Sequence, residues 1–233
     1  MLNEAFETLK KYDWGTDVAE LAPIQDAVVA AHDDAALRAD LENRLIAALQ
    51  SALSRDAKDF VCRKLAIVGS AAAVPALAGL LASKDHSHMA RFALERIPAP
   101  EAAQALRDAL ATAPGSLKIG VISSIGGRRD PLAAPALGRL LLDSDPAIAR
   151  AAALALGEIG SAEGARLLQE ASQSAGAVRQ AAIDGLLANA ESLLAAGKQG
   201  DASNIYNSLT GDASRLVRLA ATRGLLACAS KQS

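Results

Sequence analysis

RQAAIDGLLANA, from Arg179 to Ala190, recurs without a gap as RLAATRGLLACA, from Arg218 to Ala229. The arginine, the paired alanines, the Gly-Leu-Leu-Ala core and the closing alanine all keep their places. A second pair sits further up the chain, where PALAGLL (Pro75–Leu81) returns as PALGRLL (Pro135–Leu141). Between these lie four related segment ends: AIVG at Gly69, ERIP at Pro98, SSIG at Gly126 and GEIG at Gly160. Self-similarity of this kind marks a chain built from stacked supersecondary units.

Taking Gly69, Pro98, Gly126, Gly160, Ala190 and Ala229 as equivalent gives intervals of 29, 28, 34, 30 and 39 residues. Four residues before each stands an apolar anchor: Leu65, Leu94, Ile122, Leu156, Leu186 and Leu225. Nine before each stands another apolar or small residue, from Phe60 and Met89 to Ala181 and Ala220. A fixed phase at helical spacing predicts one buried stripe per unit. Each unit then reads as a helix, a Gly or Pro turn, and a second helix such as AVPALAGLLAS. Pro75 and Pro135 fall in its first turn, where a missing N–H leaves nothing unsatisfied. Lys84-Asp85 and Asp143-Ser144-Asp145 are expected to cap the following unit. One helix pair cannot cover its own apolar face, whereas stacked pairs bury a continuous core. The expected fold is all-α, a right-handed α-α superhelix of about six helix-pair units over residues 55–233, behind an acidic helical cap at residues 1–54.

These units resemble the short HEAT-like repeats of the phycobilisome-lyase type, through Val178-Arg179, Val217-Arg218 and the Leu-Gly-x-Ile-Gly of Leu156–Gly160. YDWGTD, KDFVCRKL, SHMARFALERIP and SIGGRRD are similar to segments of bacterial HEAT-repeat proteins of unassigned role. The resemblance implies a solenoid and, from the lyases, a pigment pocket lined by a carboxylate and aromatics. With 3% aromatic residues there is little to line such a pocket. Deoxyhypusine hydroxylase, another HEAT-like protein, holds iron through His-Glu pairs; this chain contains no His-Glu dipeptide, so that chemistry is not carried over.

Residues 1–54 do not follow the repeat. Asn3–Tyr12 reads as a helix, Asp13–Asp17 as a turn, and Pro23–His32 and Asp34–Leu53 as two further helices, with Asp33 or Asp34 as N-cap. Trp14, the only Trp, is expected to plug the open end of the first repeat. In the long last interval, Glu191–Ala196 and Asp201–Leu209 read as a helical pair around Gly197–Gly200. Ile205-Tyr206 is then either core or an exposed insertion.

Charge is unevenly spread. Residues 1–54 carry 4 basic against 10 acidic side chains, residues 55–129 carry 11 against 6, and residues 130–233 carry 9 against 10. The central excess supplies the leading functional candidates: Lys58, Arg63, Lys64, His88, Arg91, Arg96, Lys118, Arg128 and Arg129. Stacking places equivalent positions of neighbouring units side by side, so charges dispersed in sequence can form a ridge. Arginine suits interface hot spots and carboxylate contacts, which makes an acidic protein surface the expected partner. A pI near 5.9 and a shortage of aromatics argue against nucleic acid.

Other chemistries find little footing. There is no G-x-S-x-G elbow and no phosphate loop after a strand. His86 and His88, two apart on a helix, point to different sides and read as structural rather than as metal ligands. Ile125–Asp130 (IGGRRD) reads as an inter-helix turn with an Arg–Asp pair, the alternative being a small anion held by its N–H groups and guanidinium forks. Cys62 and Cys228 read as buried helix residues. No apolar run approaches the roughly 18 residues of a membrane span. The expectation is a soluble, cytoplasmic, non-catalytic interaction scaffold without a cofactor. Its rivals are a lyase-like, small-ligand or pigment-handling protein, and a structural domain of a longer chain.

Overall fold

The computed structural model describes residues 1–230, which form fourteen α-helices and no strand. First in the chain come α1 (Leu2–Leu9), a 3-10 turn at Val18–Leu21, α2 (Ala22–Ala30) and α3 (Ala35–Leu49). Then come α4 (Arg55–Val68), the short α5 (Val74–Ala78), α6 (Ser87–Arg96), α7 (Pro100–Thr112), α8 (Gly115–Arg128) and α9 (Ala134–Leu140). The series continues with α10 (Pro146–Ile159), α11 (Ala162–Ser172), α12 (Gly176–Ala195), α13 (Gln199–Leu209) and α14 (Arg215–Ser230).

Two compact units result, one of residues 1–124 and one from residue 125 onward. Within each, first helices pack on first helices (α4 on α6; α10 on α12) and second helices on second helices (α5 on α7; α9 on α11). That two-layer stacking is what a solenoid of helix pairs requires. Leu65, Leu94, Ile122 and Leu156 are fully buried, and Leu186 is nearly so, as their common phase predicts. Leu225 of α14 is only partly covered. Cys62 and Cys228 are buried and unpaired. Burial pushes the Cys62 thiol up to about 12, with the Asp59 carboxylate adding to the shift, so its sulfur stays protonated.

Caps account for many boundaries. Asp34 accepts from the Leu37 N–H (2.9 Å), Ser54 from Ala57 (3.0 Å), Asp145 from Ala147 (2.9 Å) and Ser161 from Gly164 (3.0 Å). Asp85 does not cap α6; His86 occupies that position, its ring nitrogen 2.9 Å from the Ser83 hydroxyl.

Two turns lie elsewhere than the repeat spacing predicts. α8 runs through Gly126 to Arg128, and the chain reverses at Arg129, a non-glycine residue at φ 54°. α12 likewise runs unbroken through Ala190 to Ala195, so Glu191–Ala195 extends it rather than forming a separate helix. Tyr206 and Ile205 of α13 are buried core.

Polar side chains of α3 reach the end of α4. Arg38 of α3 donates from Nε to the Val68 carbonyl (3.0 Å) and from a terminal nitrogen to that of Ile67 (3.1 Å), satisfying the last turn of α4. Glu42, buried on the same helix, accepts from the Ser70 N–H (2.6 Å) and hydroxyl (2.9 Å).

Candidate interaction surface

The first helices present an outward row at the positions ten, six and three before the repeat's equivalence point. On α4 these are Asp59, Arg63 and Ala66; on α6 they are His88, Phe92 and Glu95. Arg63 and Phe92 hold equivalent places, and stacking brings the guanidinium within 5.3 Å of the ring centroid. Arg96, one turn beyond Phe92, lies over the same ring at 3.7 Å and donates to the Phe92 carbonyl at 2.9 Å. Asp59 steadies Arg63 at 2.7 Å and Glu95 lies 3.5 Å from Arg96. Two exposed guanidiniums are thus held against one phenylalanine, with His88 exposed a turn away.

The remaining basic residues divide by role. Arg91 is half-buried and donates to the Gly120 carbonyl (2.8 Å) and the Ser124 hydroxyl (3.1 Å), which itself donates to Glu95 (2.7 Å). A Cβ at Gly120 would meet the Arg91 guanidinium carbon at 2.6 Å, so glycine leaves the space it fills. Burial lowers the Arg91 pKa, the nearby Glu95 opposing the shift. Lys64 lies over the Phe60 ring at 4.7 Å and bonds Gln25, with burial, then the Arg63 charge, lowering its pKa. Lys58 and Lys118 are half-buried on α4 and α8. Arg128 and Arg129 belong to the second unit, Arg128 half-buried and Arg129 exposed.

The Ile125–Asp130 turn has its N–H groups engaged. Arg129 donates to the Gly126 carbonyl (2.8 Å) and Asp130 to that of Ile125 (3.3 Å), the double closure of a Schellman end. The Asp130 carboxylate accepts from Leu132 (3.2 Å). The Arg129 and Asp130 N–H groups are thus spent on the helix's own carbonyls.

Trp14 departs furthest from expectation. It plugs nothing; it is 92% exposed. It stands beside an open cleft of about 720 Å3, lined also by Tyr12, Asp17, Asp56, Phe60 and Arg63. The Tyr12 and Phe60 rings meet at 6.3 Å. Sequence reading passed over this cleft because it joins residues 12–18 to residues 56–63, which meet through tertiary contacts such as the Ser54 hydroxyl's bond to the Tyr12 carbonyl (2.6 Å) and the Tyr12–Phe60 ring pair. Among the described residues no group of three or more His, Cys, Asp or Glu side chains is placed to hold a metal. No helix among them is long and apolar enough to cross a membrane.

Residues 113–187 match the HEAT repeats family. An archaeal HEAT-like repeats protein from Thermococcus onnurineus NA1 is similar over 100% of this chain and 98% of its own, at TM-score 0.51 and 14% identity. Human deoxyhypusine hydroxylase in complex with glycerol is similar over 81% and 95%, at TM-score 0.46 and 16% identity. A designed armadillo repeat protein is similar over 80% and 99%, at 0.42 and 18%. No curated protein matches. The archaeal likeness shows the fold, a solenoid of HEAT-like helical repeats, and no activity.

Proposed function

We propose that this chain is a non-catalytic protein-interaction module whose recognition surface centres on Arg63, Phe92 and Arg96 of the first unit. The observation that carries the reading is the stack itself: two exposed guanidiniums, one from each of two neighbouring repeats, ordered by a single ring. Side chains already ordered lose less entropy when a partner arrives, so modest contacts over adjacent repeats sum to useful affinity. The planar guanidinium forks match carboxylates, which makes an acidic protein surface the partner. His88, Lys58 and Lys118 extend the positive field, while Arg91 and Lys64 act within the fold.

The test is capture from a lysate by the wild type and by Arg63→Glu/Arg96→Glu, leaving Arg91 intact because it ties α6 to α8. Partners held by the wild type, released by salt and lost by the folded double variant are the expected result. The same partners on both proteins would reduce the stack to solvated surface.

A further inference from the structure

Beside the arginine stack, and sharing Asp59 and Arg63 with it, lies a cleft whose lining carries the opposite sign, with three carboxylates against one arginine. We propose that the cleft between the Tyr12–Asp17 turn and α4 receives a lysine or arginine side chain carried on an extended segment of a partner protein. This goes beyond the basic-surface reading and does not rest on it.

Trp14 is 92% exposed, yet its backbone is firmly set. Its N–H donates to the Asp13 carboxylate (2.8 Å), and Asp13 exchanges bonds with Thr16 at 3.0 and 3.3 Å. Gly15, at φ 86°, supplies the left-handed step that the turn needs. The indole is therefore presented by a fixed turn rather than held by packing, and its large face waits for a partner. The Tyr12 and Phe60 rings add aromatic lining, Lys64 already lying over the Phe60 ring, and Asp17, Asp56 and Asp59 line the cleft with them.

The chemistry of these walls selects the guest. Indole and phenol rings attract cations through their negative faces, tryptophan most strongly. Carboxylates beside them add charge complementarity and hydrogen-bond acceptors. Asp59 is engaged by Arg63 and one Asp17 oxygen by the Ala19 N–H, while Asp56 stands 3.6 Å from the Arg55 side chain. An anionic guest would meet three carboxylates against one arginine among the lining side chains. The volume, about 720 Å3, exceeds a single side chain and admits its neighbours along an extended segment.

Because Trp14 is the only tryptophan, its emission reports this site alone. The full chain is titrated with an acetylated, amidated Gly-Ser peptide bearing two arginines and one lysine, and with matched glutamine and glutamate versions. A saturable emission shift is expected with the basic probe, weaker by about tenfold for glutamine and absent for glutamate. By calorimetry, Asp56→Asn and Trp14→Leu should each weaken the basic probe by about fivefold or more with unchanged circular dichroism, since neither side chain is core. Arg96→Glu should not weaken it, which separates this cleft from the arginine stack. An equal response to the glutamine probe, no saturable shift, indifference to Asp56→Asn, or a shift that follows protein concentration alone (a second copy in the cleft) would each overturn the proposal.

Discussion

The two units hold neighbouring repeats together by different means. In the first, polar side chains cross from helix to helix: Arg38 and Glu42 reach the end of α4, and Arg91, Ser124 and Glu95 bind α6 to α8. In the second, a neighbouring backbone or ring comes close enough to several glycines that no larger residue fits. A Cβ on Gly157 would lie 2.6 Å from the Gly185 carbonyl, one on Gly126 3.0 Å from the Ala155 Cα, and one on Gly224 2.3 Å from the Tyr206 ring. The contrast is one of degree, since Arg179 of α12 also pairs with Asp212 and the buried Asn189 donates to the Leu156 carbonyl. It teaches that one repeat pattern is compatible with two kinds of helix contact, one directional and replaceable, the other steric and rigid.

The steric contact should break hardest. Gly185→Ala sets a methyl 2.5 Å from the Ala153 carbonyl oxygen and 2.7 Å from Leu168. We expect a loss of about 3 kcal/mol in urea unfolding. Gly127→Ala, also helical but with open space around it, should instead gain about 0.5 kcal/mol. Equal effects at the two glycines would erase the distinction. Next comes Glu42→Ala, which leaves the Ser70 N–H and hydroxyl without their acceptor and should cost about 2 kcal/mol. Arg91→Ala should cost about 1.5 kcal/mol, whereas exposed Arg96→Ala should cost less than about 0.5 kcal/mol. Chemical denaturation of the pair tells whether the two arginines divide into tie and surface. Arg129→Gly, which relieves a side chain at φ 54°, should raise the midpoint by the equivalent of about 0.5 kcal/mol.

The smallest effect is a pH dependence confined to the first unit. Burial, then the Lys58 charge, with Arg55 adding and Asp85 opposing, holds His86 below its ordinary 6.5. The folded chain resists a proton that the unfolded chain accepts. Stability is therefore full above pH 6.5 and declines as pH falls through that value toward the lower folded pKa. Melting temperature against pH should show this shallow acid slope in the wild type and a shallower one in His86→Asn. Identical slopes would remove His86 as the cause.

How much of this was legible follows from what sequence encodes locally. Leu65, Leu94, Ile122 and Leu156 announced themselves because burial at helical spacing leaves a periodic trace. Gly126 misled for the opposite reason: glycine marks turns and close approaches alike, and here α8 continues past it to Arg128. Trp14 was expected inside because a large ring has most to gain from burial, but the Asp13–Thr16 bonds hold its turn outside the core. Of the basic residues on α4 and α6, sequence located the helices that bear them and could not sort Arg91 from Arg96. Their difference lies in which way each guanidinium reaches, toward Gly120 or over Phe92, and that depends on the neighbouring repeat.

The contact at Gly185 also bears on how this chain can drift. Glycine is the smallest residue there is, so every substitution at that position enlarges it. A crowded Leu168 could shrink in compensation, but the other obstacle is the Ala153 carbonyl, a backbone oxygen that no codon change can trim. Relief would have to come from moving α10 away from α12, which means altering many residues together. Lineages of this protein should therefore exchange the partners of Arg91 or Glu42 over time while leaving Gly185 untouched, and residue 185 becomes a fixed landmark by which diverged copies of the second unit could still be aligned.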